Sequence, residues 1–107
     1  DAAWHSADAG RDNQVNLTEL LRIIQFFNSG GLHCAPTPDA TEDGYNPGPG
    51  DNHNCCPHDS DYNPGYTRTW TIDLTELLRV IQFFNSSGYH ACPDDSTEDG
   101  FCPGAPV

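Results

Sequence analysis

The chain lacks several features that define common protein classes. It has no methionine and only four basic residues against sixteen acidic ones, which gives a formal net charge of -12. An acidic chain of this kind is a poor ligand for nucleic acid or an anionic membrane, since both would repel it. No apolar run is long enough to span a membrane, and no signal peptide is visible. We expect the first residue, Asp1, to be a processed or truncated end.

No catalytic constellation stands out either. Five histidines are present, but no nucleophile is placed beside them and no Gly-rich phosphate loop occurs. A pair of carboxylates could serve glycoside hydrolysis, but a chain of 107 residues leaves no room for a substrate cleft beside so small a core. We therefore predict that the protein is not an enzyme, and that His5 and His58 form hydrogen bonds near the loops that follow them.

Cysteine, proline and glycine are abundant instead. Five Cys, nine Pro and ten Gly in 107 residues are typical of a loop-rich secreted protein held by disulfides. We predict the bonds Cys34–Cys55 and Cys92–Cys102, which leave Cys56 as a free thiol or as the partner in an intermolecular bond. Zinc binding is the alternative use of these cysteines, but no C-x-x-C spacing supports it. The composition favours an extracellular or cell-surface location.

The twelve residues from Asp8 to Glu19 have the length and donor spacing of a calcium loop of the EF-hand type. Calcium needs about six to eight oxygens around one point, which fixes where the donors fall along a tight loop. At position three Gly10 offers no side-chain oxygen, and at position six Asn13 replaces the usual glycine because asparagine tolerates a positive φ. A solvated acidic turn is the alternative. The predicted ligands, at positions one, five, seven (through its carbonyl), nine and twelve, are Asp8, Asp12, Gln14, Asn16 and Glu19.

The chain contains an internal repeat. The segment LTELLRIIQFFNS at residues 17–29 recurs at residues 74–86 with a single change, Ile23 to Val80. A histidine and an aspartate precede both copies. We therefore divide the chain into two units, residues 1–55 and 56–107, each a loop and a helix followed by a segment rich in Pro, Gly and Cys.

The second loop is longer than the first, because sixteen residues rather than twelve run from its first aspartate to its glutamate. No side chain clearly supplies position five, but carbonyls of the inserted residues 65–69 could do so. We predict a second calcium here, and the alternative is a metal-free loop whose insert buries Trp70. The predicted ligands at positions one, three, nine and twelve are Asp61, Asn63, Asp73 and Glu76.

Each repeat predicts one helix that begins inside its loop and ends near a glycine. We expect the apolar faces of the two helices to pack together, antiparallel about a pseudo-twofold axis, and to form most of the core. Phe26 and Phe83 lie at the edge of the polar arc, where we expect them to cover the core beside Trp4 or Trp70 rather than meet another chain. The apolar face of the first helix consists of Leu17, Leu20, Leu21, Ile23, Ile24 and Phe27.

This order of loop and helix, with no helix before the loop, resembles the dockerin-type calcium repeat. The likeness covers residues 8–28 well and residues 61–85 less closely. It implies a small, mostly α, loop-rich fold in which two loop–helix units form an antiparallel helix pair with one calcium each. The wider pattern also resembles secreted bacterial repeat proteins and the subunits of glycan-coated extracellular fibrils.

Exposed turns offer places for sugars and further cations. The sequon at Asn85 ends a helix and is more available than the sequon at Asn16, which should face the metal. The predicted O-glycan sites lie beside Pro, Gly or acids: Thr37, Thr41, Ser96 and Thr97. Acids of the two Thr-Glu-Asp-Gly turns could hold cations, although solvated charges are the simpler interpretation: Glu42, Asp43, Glu98 and Asp99.

These features point to one function ahead of two others. We expect a secreted, calcium-binding, disulfide-bonded structural module that self-associates into a fibre or surface assembly and carries glycans. A dockerin-like adaptor that binds a partner domain is the alternative. A calcium sensor fits less well, because sensors open through a helix before the loop, which this chain lacks.

Overall fold

The fold alternates helices with β-hairpins. The computed structural model describes residues 4–37, 40–61, 68–92 and 100–105, and the elements below lie within them. Helix α1 (Leu17–Asn28) is followed by strands β1 (Leu32–Cys34) and β2 (Tyr45–Pro47). Helix α2 (Leu74–Asn85) is followed by β3 (Tyr89–Ala91) and β4 (Phe101–Pro103). Strands β1 and β2 form one antiparallel hairpin, and β3 and β4 form the other.

The prediction of a small, mostly α fold with a dockerin-like helix pair is wrong, because the fold is mixed α/β. The segments interpreted as spacers contain the strands, and each strand has only three residues. Such short strands give too little alternation of apolar and polar residues to be recognised, and two of them end in proline. The helices do pack against each other, but core residues also come from the hairpins: Leu32, Tyr45, Tyr89 and Phe101.

Both helices begin with a capping box. The Asn16 side chain accepts a hydrogen bond from the Glu19 N–H at 2.8 Å, and the Glu19 carboxylate accepts one from the Asn16 N–H at 3.0 Å. Asp73 and Glu76 repeat the arrangement at 2.8 and 2.9 Å. These reciprocal bonds satisfy backbone donors that a helix start would otherwise leave open. Because the same glutamate ends the loop, loop closure and helix initiation are coupled.

The helices bury a face that is rotated from the predicted one. In α1 the buried apolar residues are Leu20, Ile23 and Phe26, whereas Leu17 and Leu21 are 58% and 53% exposed. Leu20 and Ile23 belong to the predicted face, whereas the buried Phe26 lies at the edge of the polar arc, where His58 packs against its ring. Thr18 and Gln25 in that arc stay exposed. In α2 the equivalent leucines are again exposed and the equivalent core residues again buried: Leu74 and Leu78, then Leu77, Val80 and Phe83.

Two buried histidines lie against these phenylalanines. The Phe26 ring meets His58 with 5.7 Å between centroids, and the Phe83 ring meets His5 at 5.4 Å. As predicted, both histidines form hydrogen bonds near the loops: His5 Nδ1 accepts from the Ala7 N–H at 3.0 Å, and His58 Nδ1 accepts from the Ser60 N–H at 3.1 Å. A ring nitrogen that accepts from a backbone N–H carries no proton, so both rings are neutral.

The two repeats hold each other through their loops. The Asn13 carbonyl accepts from the Tyr89 N–H at 3.1 Å, and the Trp70 carbonyl accepts from the Leu32 N–H at 3.0 Å. The backbones approach so closely that a Cβ on Gly88 would lie 2.6 Å from the Asn13 oxygen. The equivalent glycine of the first repeat is confined in the same way at 2.7 Å. Each loop therefore positions the hairpin of the other repeat.

Two disulfides, Cys34–Cys55 and Cys92–Cys102, tie the hairpins to neighbouring backbone, and Cys56 is a free, exposed thiol. Both pairs are those that the sequence predicted. Cys102 lies on β4 and Cys92 directly follows β3, so this bond closes the second hairpin. Among the described residues, no helix combines the length and apolar character that crossing a membrane requires.

We predict that mild acid destabilises the fold through His58. Burial, and after it the charge of the neighbouring His5, lower the pKa of His58 to about 3. Below about pH 6.5 the His58 imidazole of the unfolded chain binds a proton that it does not bind in the folded protein, so stability falls as the pH drops. From pH 7 to pH 5 this side chain should cost about 2 kcal/mol of unfolding free energy.

The variant His58→Asn tests this expectation, because asparagine offers an acceptor to the Ser60 N–H but does not titrate. Urea unfolding of both proteins in chelator, between pH 7 and pH 5, gives the comparison. The variant should be less stable at pH 7 and should lose clearly less stability on acidification. An identical pH dependence in the two proteins would contradict the assignment.

Candidate metal centre

The first loop brings three carboxylates together. Asp8, Asp12 and Glu19 each place an oxygen so that all three oxygens lie within 4.8 Å of one another. Asp8 and Glu19 are only 2% and 8% exposed, whereas Asp12 is open to solvent. Negative groups at this spacing repel one another, and a divalent cation bound between them would remove the repulsion.

Backbone N–H groups hold these carboxylates in place. Asp8 accepts from the Asp12 N–H at 3.2 Å and from the Asn13 N–H at 2.8 Å. The Glu19 oxygen that is not used in the helix cap accepts from the Gly10 N–H at 2.8 Å. Asn13 has φ 61°, which confirms the left-handed conformation predicted for position six. The loop therefore curls around the carboxylates.

One carboxylate of the cluster is held by the other repeat. Tyr89 is completely buried, and its hydroxyl donates to Asp8 Oδ2 at 2.7 Å while accepting from the His5 N–H at 2.8 Å. Burial, together with the hydrogen bond to Asp8, raises the pKa of Tyr89 well above its usual range, so the hydroxyl remains a donor. Tyr89 was not among the residues predicted for this site, because it lies 81 residues from Asp8. A comparison of the two repeats could have singled it out, because the first copy has the apolar Leu32 at the equivalent position, where the second has a tyrosine with a hydroxyl.

The pKa of Glu19 is raised, mainly by burial and to a smaller degree by the neighbouring acids. Burial raises it, hydrogen bonds from the Asn16 and Gly10 N–H groups lower it, and the charges of Asp8 and Asp12 raise it again, so that the net shift is upward. A raised carboxyl pKa means that the folded state resists the negative charge. Without a cation, the contribution of Glu19 to stability therefore declines as the pH rises through its folded pKa.

The remaining predicted ligands of this loop are not acids. Asn16 uses its side-chain oxygen to cap α1. Gln14, whose carbonyl was the predicted ligand, has an exposed side chain, and its N–H donates to Asp12 at 3.1 Å. The structure thus brings together the three carboxylates of the predicted set, and the roles of Asn16 and Gln14 as ligands stay predictions.

The second loop repeats the backbone frame of the first. The Asp61 carboxylate accepts from the Thr69 N–H at 3.1 Å and from the Trp70 N–H at 2.6 Å, and Trp70 has φ 56°. Thr69 occupies the place of Asp12, and its hydroxyl donates to Asp61 at 3.0 Å. Arg68 donates to the Asp61 carbonyl at 2.6 Å. A neutral hydroxyl thus stands where the first loop has the carboxylate of Asp12, and Arg68 corresponds to Arg11 of the first loop.

The ligand set predicted for this loop is only partly assembled. Asp73 caps α2, and Asn63 lies outside the described residues. Within the described ranges, no third His, Cys, Asp or Glu joins Asp61 and Glu76 in a metal-binding group. A second calcium stays a prediction with weaker support than the first.

The acidic turn of the first repeat has a structural use that neither interpretation anticipated. Asp43 accepts from Arg22 Nε at 3.0 Å and from the Tyr45 N–H at 3.1 Å. Burial raises the pKa of Asp43, but Arg22 and the Tyr45 N–H lower it more, and the carboxyl stays ionised. Asp43 is therefore neither a free cation ligand nor a solvated charge. Glu42 is exposed, and Glu98 and Asp99 lie outside the described residues.

The predicted O-glycan sites differ in availability. Thr37 is exposed. The Thr41 hydroxyl donates to the Tyr45 carbonyl at 3.0 Å and so helps to build the turn, and a glycan at either threonine stays a prediction. Ser96 and Thr97 lie outside the described residues.

A second group of possible metal ligands is occupied otherwise. His90, Cys92 and Cys102 lie within 4.8 Å of one another, but both sulfurs belong to one disulfide. A disulfide offers no thiolate for zinc. His90 Nδ1 also lies 2.8 Å from the Gly104 carbonyl oxygen. This group therefore serves the second hairpin, and the zinc alternative has no support here.

No protein-family model, curated protein or solved structure matches this chain. The resemblance to calcium repeats therefore stays a prediction, and function has to be inferred from the geometry of the site.

We predict that Tyr89→Phe destabilises the protein by about 1–3 kcal/mol, because the change leaves the His5 N–H and the Asp8 carboxylate each short of a buried partner. Tyr45→Phe is the matched control, since it removes one hydroxyl bond, to the Cys56 carbonyl at 2.5 Å, and does not touch the carboxylate cluster. Urea unfolding in chelator should show the larger loss for Tyr89→Phe. Equal losses would mean that the hydroxyl does not hold the cluster.

Proposed function

We propose that this chain is a secreted calcium-binding structural module whose copies assemble outside the cell. The convergence of oxygens from Asp8, Asp12 and Glu19 is the observation that carries the calcium assignment. Calcium favours carboxylate and carbonyl oxygens in flexible shells, at about 2.3–2.6 Å from the ion. Oxygens of one such shell can be about 5 Å apart, which suits the spread of this cluster. Two disulfides agree with an oxidising, extracellular compartment.

Within the described part of the chain, no arginine forms an ion pair with Asp8, Asp12 or Glu19. Arg22 pairs with Asp43 instead. Arg68 donates to backbone carbonyls of the second loop, Arg79 donates to the Phe101 carbonyl, and Arg11 lies 5.7 Å from the Trp4 ring. A soluble divalent cation is the source of positive charge that we propose for the loop, in a structural role in which calcium rigidifies the fold.

We predict that Glu19→Gln removes most of the stabilisation by calcium. For the wild type, calcium at about 100 times its Kd should add about 2.7 kcal/mol, or about 10 °C in Tm. In chelator the variant should differ little from the wild type, because it loses part of a cap but also loses the repulsion with Asp8 and Asp12. Thermal unfolding of the disulfide-bonded protein in calcium and in chelator measures both effects.

Glu76→Gln is the matched variant, because Glu76 has the same capping bond at 2.9 Å in a loop where, among the described residues, no third carboxylate gathers beside Asp61 and Glu76. Its calcium-dependent loss should be smaller than that of Glu19→Gln. Magnesium at the same concentration should stabilise the wild type less, since it prefers to keep its waters. If Glu19→Gln lowers Tm equally in calcium and in chelator, the first loop is not the calcium site.

Exposed leucines support the assembly of copies. Leu17 and Leu21 on α1, with Leu74 and Leu78 on α2, are each more than half exposed. We name these two pairs the leucine surfaces. Each chain has two such surfaces, one on α1 and one on α2. When two chains meet through one of these surfaces each, the second surface of each chain stays open for a contact with a further chain. Such contacts produce an open row of subunits rather than a closed dimer, and the exposed Cys56 thiol can add a covalent link.

We predict that assembly requires both leucine surfaces. Sedimentation velocity and electron microscopy should show long assemblies for the wild type, dimers at most for Leu21→Gln, and monomers for Leu21→Gln combined with Leu78→Gln. Polar side chains at these positions remove apolar area that only a second chain can cover.

Thr18→Gln combined with Thr75→Gln is the control, since both threonines are exposed on the same helices. It should assemble like the wild type. Non-reducing electrophoresis of Cys56→Ser then separates the covalent link from the apolar contact. A wild type that stays monomeric at high concentration, with calcium present, would refute assembly without affecting the calcium assignment.

A further inference from the structure

The two helices end in nearly the same sequence, and one residue distinguishes them chemically. Helix α1 ends at Asn28, which Ser29 and Gly30 follow, whereas α2 ends at Asn85, which Ser86 and Ser87 follow. The change from glycine to serine turns the second copy into an N-x-[ST] sequon. The first copy, with glycine at the third position, is not a sequon.

The backbone at the two helix ends is the same. The N–H of Ser29 donates to the Gln25 carbonyl at 2.9 Å, and that of Ser86 donates to the Gln82 carbonyl at 3.0 Å. The next residue is left-handed in both copies, with φ 79° at Gly30 and 62° at Ser87. Glycine is the residue that such a helix end favours, because a Cβ is strained there. The second repeat thus has a serine at a backbone position where the first repeat forms the same helix end with glycine.

The Ser87 hydroxyl has no structural use that explains this choice. Ser87 is exposed, and within the described part of the chain its hydroxyl forms no hydrogen bond. The Asn85 carboxamide is likewise exposed and unpaired among the described residues. By contrast, the carboxamide oxygen of Asn16, in the other sequon, caps α1 at 2.8 Å. Only the sequon of α2 is therefore free on the folded surface.

We propose that Asn85 carries an N-linked glycan and that Ser87 is retained for its recognition by the glycosyl-transferring enzyme. The donor is an oligosaccharide on a lipid pyrophosphate. Asn85 Nδ2 forms a bond to the anomeric carbon of the first sugar and loses a proton, while the bond from that carbon to the pyrophosphate oxygen breaks and the lipid pyrophosphate leaves. Atoms and charge balance without an oxidant or a reductant.

The proposed glycan does not depend on the proposed assembly. Asn85 ends α2, seven residues after Leu78 and eleven after Leu74, which places all three on one side of the helix, with Leu78 about 10 Å from Asn85 along the axis. A sugar at Asn85 would therefore border the leucine surface of α2 and add hydrophilic bulk at the end of the helix.

The experiment is expression of the full chain in a eukaryotic secretory host, followed by intact mass and peptide mass spectrometry before and after digestion with a peptide-N-glycosidase. The wild type should carry one glycan, on Asn85. Ser87→Gly, which recreates the end of α1, should carry none and should fold as well as the wild type by circular dichroism. Ser87→Thr should keep the glycan.

Gly30→Ser is the reciprocal variant, because it creates a sequon at the exposed Asn28 of the first repeat. This variant should carry two glycans, and its second glycan would show that the helix end is accessible to the enzyme. An unmodified Asn85 in the wild type, or a glycan on Asn16 in its place, would overturn the proposal. Neither result would bear on calcium binding or on assembly.

Discussion

The two oxygens of the Glu19 carboxylate join the first loop to the first helix, and much of the structure depends on this junction. One oxygen closes the capping box with Asn16, and the other accepts from the Gly10 N–H. The start of α1 and the curl of the loop are thus set by one charged group. Because neighbouring Asp8 and Asp12 oppose that charge, a cation that binds the three acids would stabilise the loop, the helix start and the core behind them together.

Each repeat forms contacts that shape the loop of the other repeat. Each loop carbonyl binds the first strand of the other repeat, and Tyr89 of the second repeat holds Asp8 of the first. Neither half contains all the contacts that shape its own loop. Among the differences between the two copies, Thr69 stands in the place of Asp12, Asp73 in the place of Asn16, and Tyr89 in the place of Leu32. These differences leave the backbone frame of the loops intact but distribute the three acids of each loop differently, so one fold carries two loops of different chemistry.

Features that depend on neighbouring residues could be predicted from the sequence, whereas contacts between distant residues could not. The helices, their caps, the positive φ at Asn13 and the carboxylate spacing depend on residues a few positions apart, which propensity and loop geometry constrain. The hairpins depend on pairs such as Cys34 with Tyr45, brought together by turns and by Arg22. Without those hairpins, helical periodicity placed Leu17 and Leu21 inside. The buried side of Phe26 becomes evident only when the hairpin and His58 are known to cover it.

Charge links the proposed site to the proposed assembly. A chain with a formal charge of -12 repels its own copies, and at physiological salt this repulsion extends over about 8 Å. Leucine surfaces are short-range contacts, so they act only after copies have approached within that distance. A calcium ion bound at the first loop would offset two negative charges of the chain and rigidify the loop from which α1, and with it one leucine surface, begins. Calcium would therefore favour association twice, once by reducing the repulsion and once by fixing the helix that presents the apolar contact.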